Sequence, residues 1–400
     1  GWVTVLKLLL CCAFAAVAVF FVLQASLGAR NADVAGSSHP AAETAYRPLG
    51  SSIYRYLEDL LRKLSRLRVY RLVPFWELAV SGEVYAAAEE GCLYITSTPG
   101  QVMAVDAASG GILWSLDLGV WISAPPDVEA GIVYVGATNH VLYALDAASG
   151  ALLWYYTSQG EILARPVASG GAVFFTADND SIYDLIHRLY ALDARSGELL
   201  WTYDTESWTP SPPAVGTDAV YLGGYRREVY ALDKHTGREL WSFKASNIVF
   251  SSPQVASGRV FFTCIDGHTQ ALDAANGTPE WSAKLPGFVW LTLPDASGNL
   301  YACYHRNTVA ALAMDSGETR WEFADGDFLS CASLSSGEEL CAFSAQGKAY
   351  ILDASSGELL GLLLAPHAFA SPPLVAGGFI FAGSPDGTMR AYALPGGRLP

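Results

Sequence analysis

The residues whose spacing most resembles a chemical site lie in one seven-residue insertion. Asp178, Asp180 and Asp184 are spaced like the carboxylates of a calcium loop, in which alternate oxygen ligands converge on one ion. Ile182, however, stands where a further oxygen ligand is needed, and the glycine that such a loop has at its turn is missing. The sequence therefore predicts an elongated, solvated hairpin here.

Other candidate catalytic groups are isolated from one another. His140 and His187 occupy the same place in consecutive segments, but two imidazoles without a carboxylate rarely hold a metal. Cys331 and Cys341 are expected on neighbouring strands, where they could pair but are interpreted as thiols. The chain has no Gly-x-Ser-x-Gly, His-Glu-x-x-His or phosphate-binding loop. The sequence therefore predicts no catalytic residue, no metal ligand and no cofactor.

A second group of candidate functional residues is aromatic. Aromatic residues lie just upstream of the predicted inner strands, most of which begin near a proline, at Trp121, Trp208, Phe250, Trp290, Phe328 and Phe369. In a ring of repeats these side chains gather at one mouth of the central channel, where Trp121, Trp208 and Trp290 are candidates for binding a partner. The alternative, which we favour, is that they seal the core between repeats. Arg165, the one basic residue at such a position, could pair with an anion.

These positions recur because one segment is written eight times. Its clearest copy contains Ala231, Asp233, Thr236, Gly237 and Trp241, and the Asp position returns every 40 residues apart from one interval of 47 and one of 42. Each copy has an alternating strand, a turn supplied by Asp and Gly, and a return strand. Two further short strands lie upstream. Four strands per 40 residues predict an all-β fold, an eight-bladed β-propeller of four-stranded antiparallel blades.

The tryptophan of each copy is expected to pack against the next blade, since an indole ring buries a large apolar area and its N–H can bond a polar partner. Trp76 precedes the first complete copy, whereas the chain ends without an outer strand after the eighth. The simplest solution places residues 74–81 in the last blade, so that the two chain ends close the ring. In the seventh copy, Gly361 stands at the position that tryptophan occupies in the others. The structural docking residues are Trp76, Trp114, Trp154, Trp201, Trp241, Trp281 and Trp321.

The pattern Ala-x-Asp-x-x-Thr-Gly-x-x-x-Trp is similar to the tryptophan-docking motif of PQQ-type, or quinoprotein-like, β-propellers, over about residues 75–400. That family includes quinoprotein dehydrogenases, a bacterial outer-membrane assembly lipoprotein and luminal sensor domains of stress kinases. The resemblance therefore implies the fold and leaves the function open. A dehydrogenase of this family would need long insertions holding PQQ and calcium, a catalytic Asp and an adjacent cysteine pair. Blades of 40 residues have no such insertion, and Cys11 and Cys12 lie in an apolar segment.

The chain before residue 74 differs from the repeats. Residues 1–27 are apolar and predict a transmembrane anchor over 3–27, with a secretory signal as the competing interpretation. Residues 28–50 are interpreted as a linker. Residues 51–73 keep leucines at helical spacing, which predicts a basic amphipathic helix that contacts a membrane surface or a partner, or packs on its own propeller. Its candidate contact residues are Arg62, Lys63, Arg66 and Arg68.

Charge is distributed unevenly along the chain. Residues 1–73 contain nine Lys/Arg and four Asp/Glu, a net +5, so the remainder carries −20 and the whole chain −15. An acidic propeller argues against nucleic acid as a partner and is compatible with a basic partner surface. Tyr183 and Ile186, at the tip of the insertion, are further candidate contacts. Asn179 and Asn276 fit the glycan acceptor pattern, which matters only in a secretory lumen.

Taken together, these features predict a membrane-anchored interaction scaffold, an accessory or assembly subunit of a larger membrane protein complex. The propeller is expected on the non-cytosolic side of the membrane, with membrane protein subunits as its partners. A ligand-sensing ectodomain is the alternative, and a quinoprotein dehydrogenase is a more distant one.

Overall fold

Eight small antiparallel sheets follow one another along the chain in the computed structural model, each with four strands from the repeat. The structure describes residues 68–181, 184–205, 208–209, 211–304, 307–326, 329–333 and 338–394. The predicted anchor, the linker and residues 51–67 of the predicted helix lie outside these ranges. Across the described residues the chain is all-β, and none of them forms a helix long and apolar enough to cross a membrane.

The sheets are numbered as blades 1–8 in chain order. Blade 1 consists of β3 (Val84–Glu89), β4 (Cys92–Ser97), β5 (Gln101–Asp106) and β6 (Ile112–Asp117), and blade 2 of β7 (Asp127–Glu129), β8 (Ile132–Gly136), β9 (Val141–Asp146) and β10 (Leu152–Thr157). Blade 3 consists of β11 (Val167–Ser169), β12 (Ala172–Ser181), β13 (Asp184–Asp193) and β14 (Leu199–Asp204). Blade 4 consists of β15 (Ala214–Val215), β16 (Ala219–Gly223), β17 (Glu228–Asp233) and β18 (Glu239–Lys244).

Blades 5–8 repeat the arrangement, and the last takes one strand from the start of the chain. Blade 5 consists of β19 (Gln254–Ala256), β20 (Arg259–Thr263), β21 (His268–Asp273) and β22 (Pro279–Lys284), and blade 6 of β23 (Val289–Pro294), β24 (Asn299–Tyr304), β25 (Thr308–Ala313) and β26 (Thr319–Ala324). Blade 7 consists of β27 (Leu329–Ser333), β28 (Glu339–Ser344), β29 (Lys348–Asp353) and β30 (Leu359–Leu364). Blade 8 consists of β31 (Leu374–Ala376), β32 (Phe379–Gly383), β33 (Thr388–Ala393) and β2 (Pro74–Ala79). A further strand, β1 (Arg68–Arg71), joins the edge of blade 7.

The repeated turn is held by its aspartate. In blade 4, Asp233 Oδ1 accepts hydrogen bonds from the Thr236 amide at 2.8 Å and the Thr236 hydroxyl at 2.7 Å. These bonds favour the charged carboxylate and lower the pKa of Asp233. Gly237 then adopts a φ of +69°, which glycine reaches without steric cost. The Asp-Gly spacing of the repeat is therefore a requirement of this turn.

Each tryptophan contacts the turn of the following blade. Trp241 Nε1 donates to the Ala274 carbonyl oxygen at 3.1 Å, and a Cβ placed on Gly277 would lie 2.7 Å from the indole ring. The ring therefore lies directly on the glycine of the next turn. The same bond, at 2.9–3.2 Å, joins Trp76 to Ala107, Trp114 to Ala147, Trp154 to Ala194, Trp201 to Lys234, Trp281 to Met314 and Trp321 to Ala354.

Two glycines of blade 5 test how tight this contact is. Gly258 and Gly277 have φ values of +75° and +72°, but a Cβ on Gly258 would meet nothing within 4 Å. We expect Gly258→Ala to cost about 1 kcal/mol from backbone strain alone. Gly277→Ala should cost about 1–3 kcal/mol more, because the methyl group displaces the Trp241 ring. Urea denaturation of both variants measures the difference, and equal midpoints would contradict a close ring–glycine contact.

The ring is closed by strands from both ends of the chain. β2 lies outermost in blade 8 and pairs antiparallel with β33, the position that the displaced Trp76 predicts. Buried Arg390 on β33 donates to Glu77 on β2 at 3.0 Å and to Asp386 at 2.7 and 3.1 Å. The Arg390 guanidinium holds the pKa of Asp386 well below its usual range. Inner strands of neighbouring blades are in contact all the way round, including β31 with β3.

Strand β1 corrects one prediction. The sequence predicts a helix over 51–73, but Arg68–Arg71 form a strand that pairs in parallel with β30. The helix prediction is therefore wrong at its C-terminal end, which includes Arg68. Val69 and Tyr70 favour extended backbone, and Gly361, opposite Arg68, has no side chain to hold a neighbouring backbone away.

Strand β1 also lies where the series of tryptophans is interrupted. A Cβ on Gly361 would lie 3.6 Å from the Arg68 carbonyl oxygen. Just after β1, the Leu72 amide donates to the Leu364 carbonyl oxygen at 2.8 Å, and the Leu72 side chain is buried in the core between blades 7 and 8. The cores between the other blades each contain a tryptophan. Leu72 therefore adds a buried apolar side chain to the one of these cores that lacks a tryptophan.

Candidate interaction surface

The loops of the propeller lie on two opposite faces, because consecutive strands in a blade run antiparallel. One face, named here the link face, carries the connections between blades and the turns between the second and third strands. The other, the turn face, carries the remaining two turns of each blade, including the Asp-Gly turns. Trp121 and Trp208 precede the first strands of blades 2 and 4, so both belong to the link face.

Four aromatic side chains form a continuous row on the link face. The ring centroids of Trp208 and Tyr225 lie 4.9 Å apart, those of Tyr225 and Phe250 6.2 Å, and those of Phe250 and Phe288 5.8 Å. Tyr225 comes from the turn between β16 and β17, and the other three come from links into blades 4, 5 and 6. We call these four residues the aromatic row.

The aromatic row is partly open to solvent. Tyr225 and Phe288 are exposed, while Trp208 and Phe250 are half-buried. The Tyr225 amide donates to the Trp208 carbonyl oxygen at 3.1 Å, so the backbone fixes the first pair of rings. Arg226 and Arg227 follow Tyr225 in the same exposed turn. An aromatic surface flanked by arginines has the composition typical of protein interfaces.

The other predicted aromatic positions are divided between surface and core. Trp121 is 66% exposed, whereas Phe369 is buried in the core between blades 7 and 8. The side chains of Trp290 and Phe328 lie outside the described part of the chain. Tyr225 and Phe288 were not among the predicted residues. The signal that could have identified them is their place in the repeat, since turns between the second and third strands share a face with the links.

The insertion forms the predicted hairpin in blade 3. β12 and β13 have ten residues each and remain paired from Ala172 opposite Asp193 to Ser181 opposite Asp184. Asp178 accepts a 2.8 Å contact from His187 Nδ1, and both side chains are largely buried. The backbone of Ile186 pairs with that of Asn179, but the side chain of Ile186 is not among those that the structure describes. Tyr183 lies wholly outside the described residues. The contact roles of Tyr183 and Ile186 remain predictions.

The predicted basic contacts are only partly described. Arg68 is exposed on β1, whereas Arg62, Lys63 and Arg66 precede the first described residue. Arg165, which the sequence suggests could pair with an anion, pairs with the Asp127 carboxylate at 3.0 Å. Burial raises the pKa of Asp127 despite this arginine. Cys341 is a free, buried thiol whose pKa is raised by burial, and the side chain of Cys331 is not among those described.

A calcium-bound quinone would need a set of converging oxygen ligands. Among the residues that the structure describes, no three His, Cys, Asp or Glu side chains are grouped so that they could hold a metal ion. The carboxylate of Asp178, one of the three aspartates spaced like calcium ligands, instead contacts His187, and the Asp178 backbone pairs with Glu161.

The repeat geometry agrees with a known family. A family model described as outer membrane protein assembly factor BamB matches residues 62–178, 128–207 and 185–399, which together cover most of the sequence. The chain belongs to this family. A search of curated protein sequences found no match.

Solved structures similar to this BamB-family chain share its fold at low sequence identity. BamB from Moraxella catarrhalis is 20% identical, with a TM-score of 0.67 over 81% of this chain and 98% of that one. The computationally designed Ika8 protein is 16% identical, with a TM-score of 0.69 over 79% and 98%. Quinohemoprotein alcohol dehydrogenase from Comamonas testosteroni is 14% identical, with a TM-score of 0.65 over 82% and 77%. An assembly factor, a designed protein and an enzyme thus share this propeller, so the fold alone does not determine function.

Proposed function

We propose that this BamB-family chain is a non-enzymatic, membrane-anchored scaffold that docks subunits of a membrane protein complex, with its propeller on the non-cytosolic side. The single observation that carries the proposal is the aromatic row on the link face. It spans four rings from three neighbouring blades on a rigid base of strands. Such a surface provides large apolar contact area at little cost in side-chain entropy.

Three further features support a role in assembly. Family membership supports an accessory role in a broad sense, since the family is described by an assembly factor. The apolar segment 3–27 has the length of a membrane span, which would hold the ring at a bilayer. The acidic propeller suits a partner with basic surfaces, because opposite charge speeds encounter and fixes orientation.

Mild detergent extraction of the full-length protein from its own membranes, followed by affinity purification and mass spectrometry, tests the proposal. We expect membrane protein subunits at near-equal amounts with the wild type. Tyr225→Ser combined with Trp208→Ser should reduce their recovery at least tenfold, because removing central aromatic contacts at an interface costs about 2 kcal/mol or more.

The matched control is Leu240→Ser, which removes an exposed apolar side chain near the turn face of blade 4. It should leave the recovered subunits unchanged, and circular dichroism should show the same folded content in all variants. A wild type that purifies alone would overturn the scaffold in favour of the ligand-sensing ectodomain. Unchanged partners in the aromatic variant would show that docking uses another surface.

A further inference from the structure

One lysine interrupts the pattern of the turn face. The residue after the aspartate position of the repeat is small or apolar elsewhere in blades 1–7, at Ala107, Ala147, Ala194, Ala274, Met314 and Ala354, but it is Lys234 in blade 4. The backbone of Lys234 does what its counterparts do, because its carbonyl oxygen accepts the Trp201 indole N–H at 3.0 Å. The charged side chain is therefore an addition that the fold does not require.

Residue Lys234 is only 8% exposed, and its side chain reaches from blade 4 to blade 3. Its ammonium donates to Ser169 Oγ at 3.0 Å and lies 3.5 Å from the Gly216 carbonyl oxygen. Both acceptors are neutral. Within the described residues no carboxylate lies within ion-pair distance of this ammonium. An ammonium that bonds only to neutral acceptors keeps an uncompensated charge, so an anion that enters beside it gains a favourable ion pair.

Lys234 and Ser169 both line a cleft of about 910 Å³ on the turn face of blades 3–5. That volume is in the range of small-molecule sites. Val215, Val255 and Ala256 provide an apolar wall, and Thr217 and Ser257 provide further polar groups. A cleft with one buried cation and an apolar wall has the composition expected for an organic anion.

The charges around the cleft limit the class of anion. Asp218, an exposed residue of the turn between β15 and β16, also lines it. Glu129 accepts a hydrogen bond from the Gly170 amide at 3.3 Å, close to the place where Lys234 lies. These carboxylates repel a dianion such as phosphate more strongly than they repel a single carboxylate.

We propose that the cleft binds a small organic monocarboxylate, whose carboxylate pairs with the Lys234 ammonium and whose apolar part contacts Val215 and Val255. This site lies on the face opposite the aromatic row and is separate from the docking role. One face can therefore bind a small molecule while the other binds a subunit.

Calorimetric titration of the whole purified protein tests the site with benzoate and hexanoate, each compared with its neutral amide of the same shape. We expect saturable binding of at least one carboxylate with a dissociation constant on the order of 1 mM or tighter. The corresponding amide should bind at least tenfold more weakly. Lys234→Ala should weaken the carboxylate at least tenfold, and it should fold because alanine occupies the equivalent position in neighbouring blades.

A second variant separates charge from side-chain volume. Lys234→Met keeps most of the length of the side chain and loses the ammonium, so it should lose binding as Lys234→Ala does. The proposal is overturned if neither carboxylate binds, if the amides bind equally well, or if Lys234→Met retains binding. Inorganic phosphate that binds more tightly than both carboxylates would overturn the monocarboxylate class. None of these outcomes depends on whether the aromatic row docks a subunit.

Discussion

Replacing Trp76 by alanine is expected to destabilise the whole ring, and by about 3–5 kcal/mol, the usual cost of removing a large buried aromatic side chain. Trp76 is 9% exposed, donates to the Ala107 carbonyl oxygen and belongs to the strand that completes blade 8. Its loss therefore weakens the junction between blades 8 and 1, where the two ends of the chain meet. Chemical denaturation measures the change in free energy of unfolding.

Hydrogen exchange shows whether the Trp76 variant opens the whole ring or only the junction between blades 8 and 1. If Trp76 closes the ring, amide protection should fall in β16 and β17 of blade 4 as much as in β33, because all blades open together. The control is the adjacent Phe75→Ala, whose side chain is 62% exposed and should cost less than about 1.5 kcal/mol. Protection lost only in blades 8 and 1 would show that the ring does not unfold as one unit.

Restoring the repeat at the one position where it fails should also destabilise the protein. Gly361→Trp gives blade 7 the residue found in the other seven blades, yet we expect a cost of about 3–5 kcal/mol. The indole must displace β1, because even a Cβ at this position would lie 3.5 Å from Ile351 and 3.6 Å from the Arg68 carbonyl oxygen. Displacing β1 exposes Leu72 and breaks its bond to Leu364.

Gly361→Ala is the matched control for this prediction. Its Cβ makes contacts of ordinary van der Waals length, so its stability should stay within about 0.5 kcal/mol of the wild type or rise slightly. Hydrogen exchange of the Val69 to Leu72 amides should become fast in the tryptophan variant alone. A tryptophan variant as stable as the wild type, with those amides protected, would mean that β1 does not occupy the position of the missing ring.

Most of the fold could be predicted from the 40-residue repeat in the sequence. The turns need Asp and Gly at fixed places, and each tryptophan needs a glycine under its ring in the next blade, so the sequence repeats wherever the structure does. The blade number, the antiparallel strands and the strand that Trp76 contributes could therefore be predicted. Strand β1 could not, because nothing in Arg68–Arg71 belongs to the repeat and its partner is a glycine almost three hundred residues later.

The candidate surfaces were less predictable, because they depend on departures from the repeat. Trp208 and Phe250 follow the proline pattern and were identified, whereas Tyr225 and Phe288 join them only through the way neighbouring loops converge. The sequence analysis did not single out Lys234, although it is the one charged residue at a position that is otherwise small or apolar. Its burial and the cleft beside it depend on three blades packing together.

The pairing of β1 with β30 and of β2 with β33 also has a consequence for synthesis. The contact between Glu77 and Arg390 joins residues 313 positions apart. A ribosome adds roughly 5–20 residues per second, so Glu77 emerges on the order of 15–60 s before its partner. Blades 1–6 can form as their strands emerge, while Trp76, Leu72 and two unpaired strands wait in water. Until the last blade has been made, the segment that contains β1 and β2 is therefore the part of the nascent chain most vulnerable to aggregation and most in need of a chaperone.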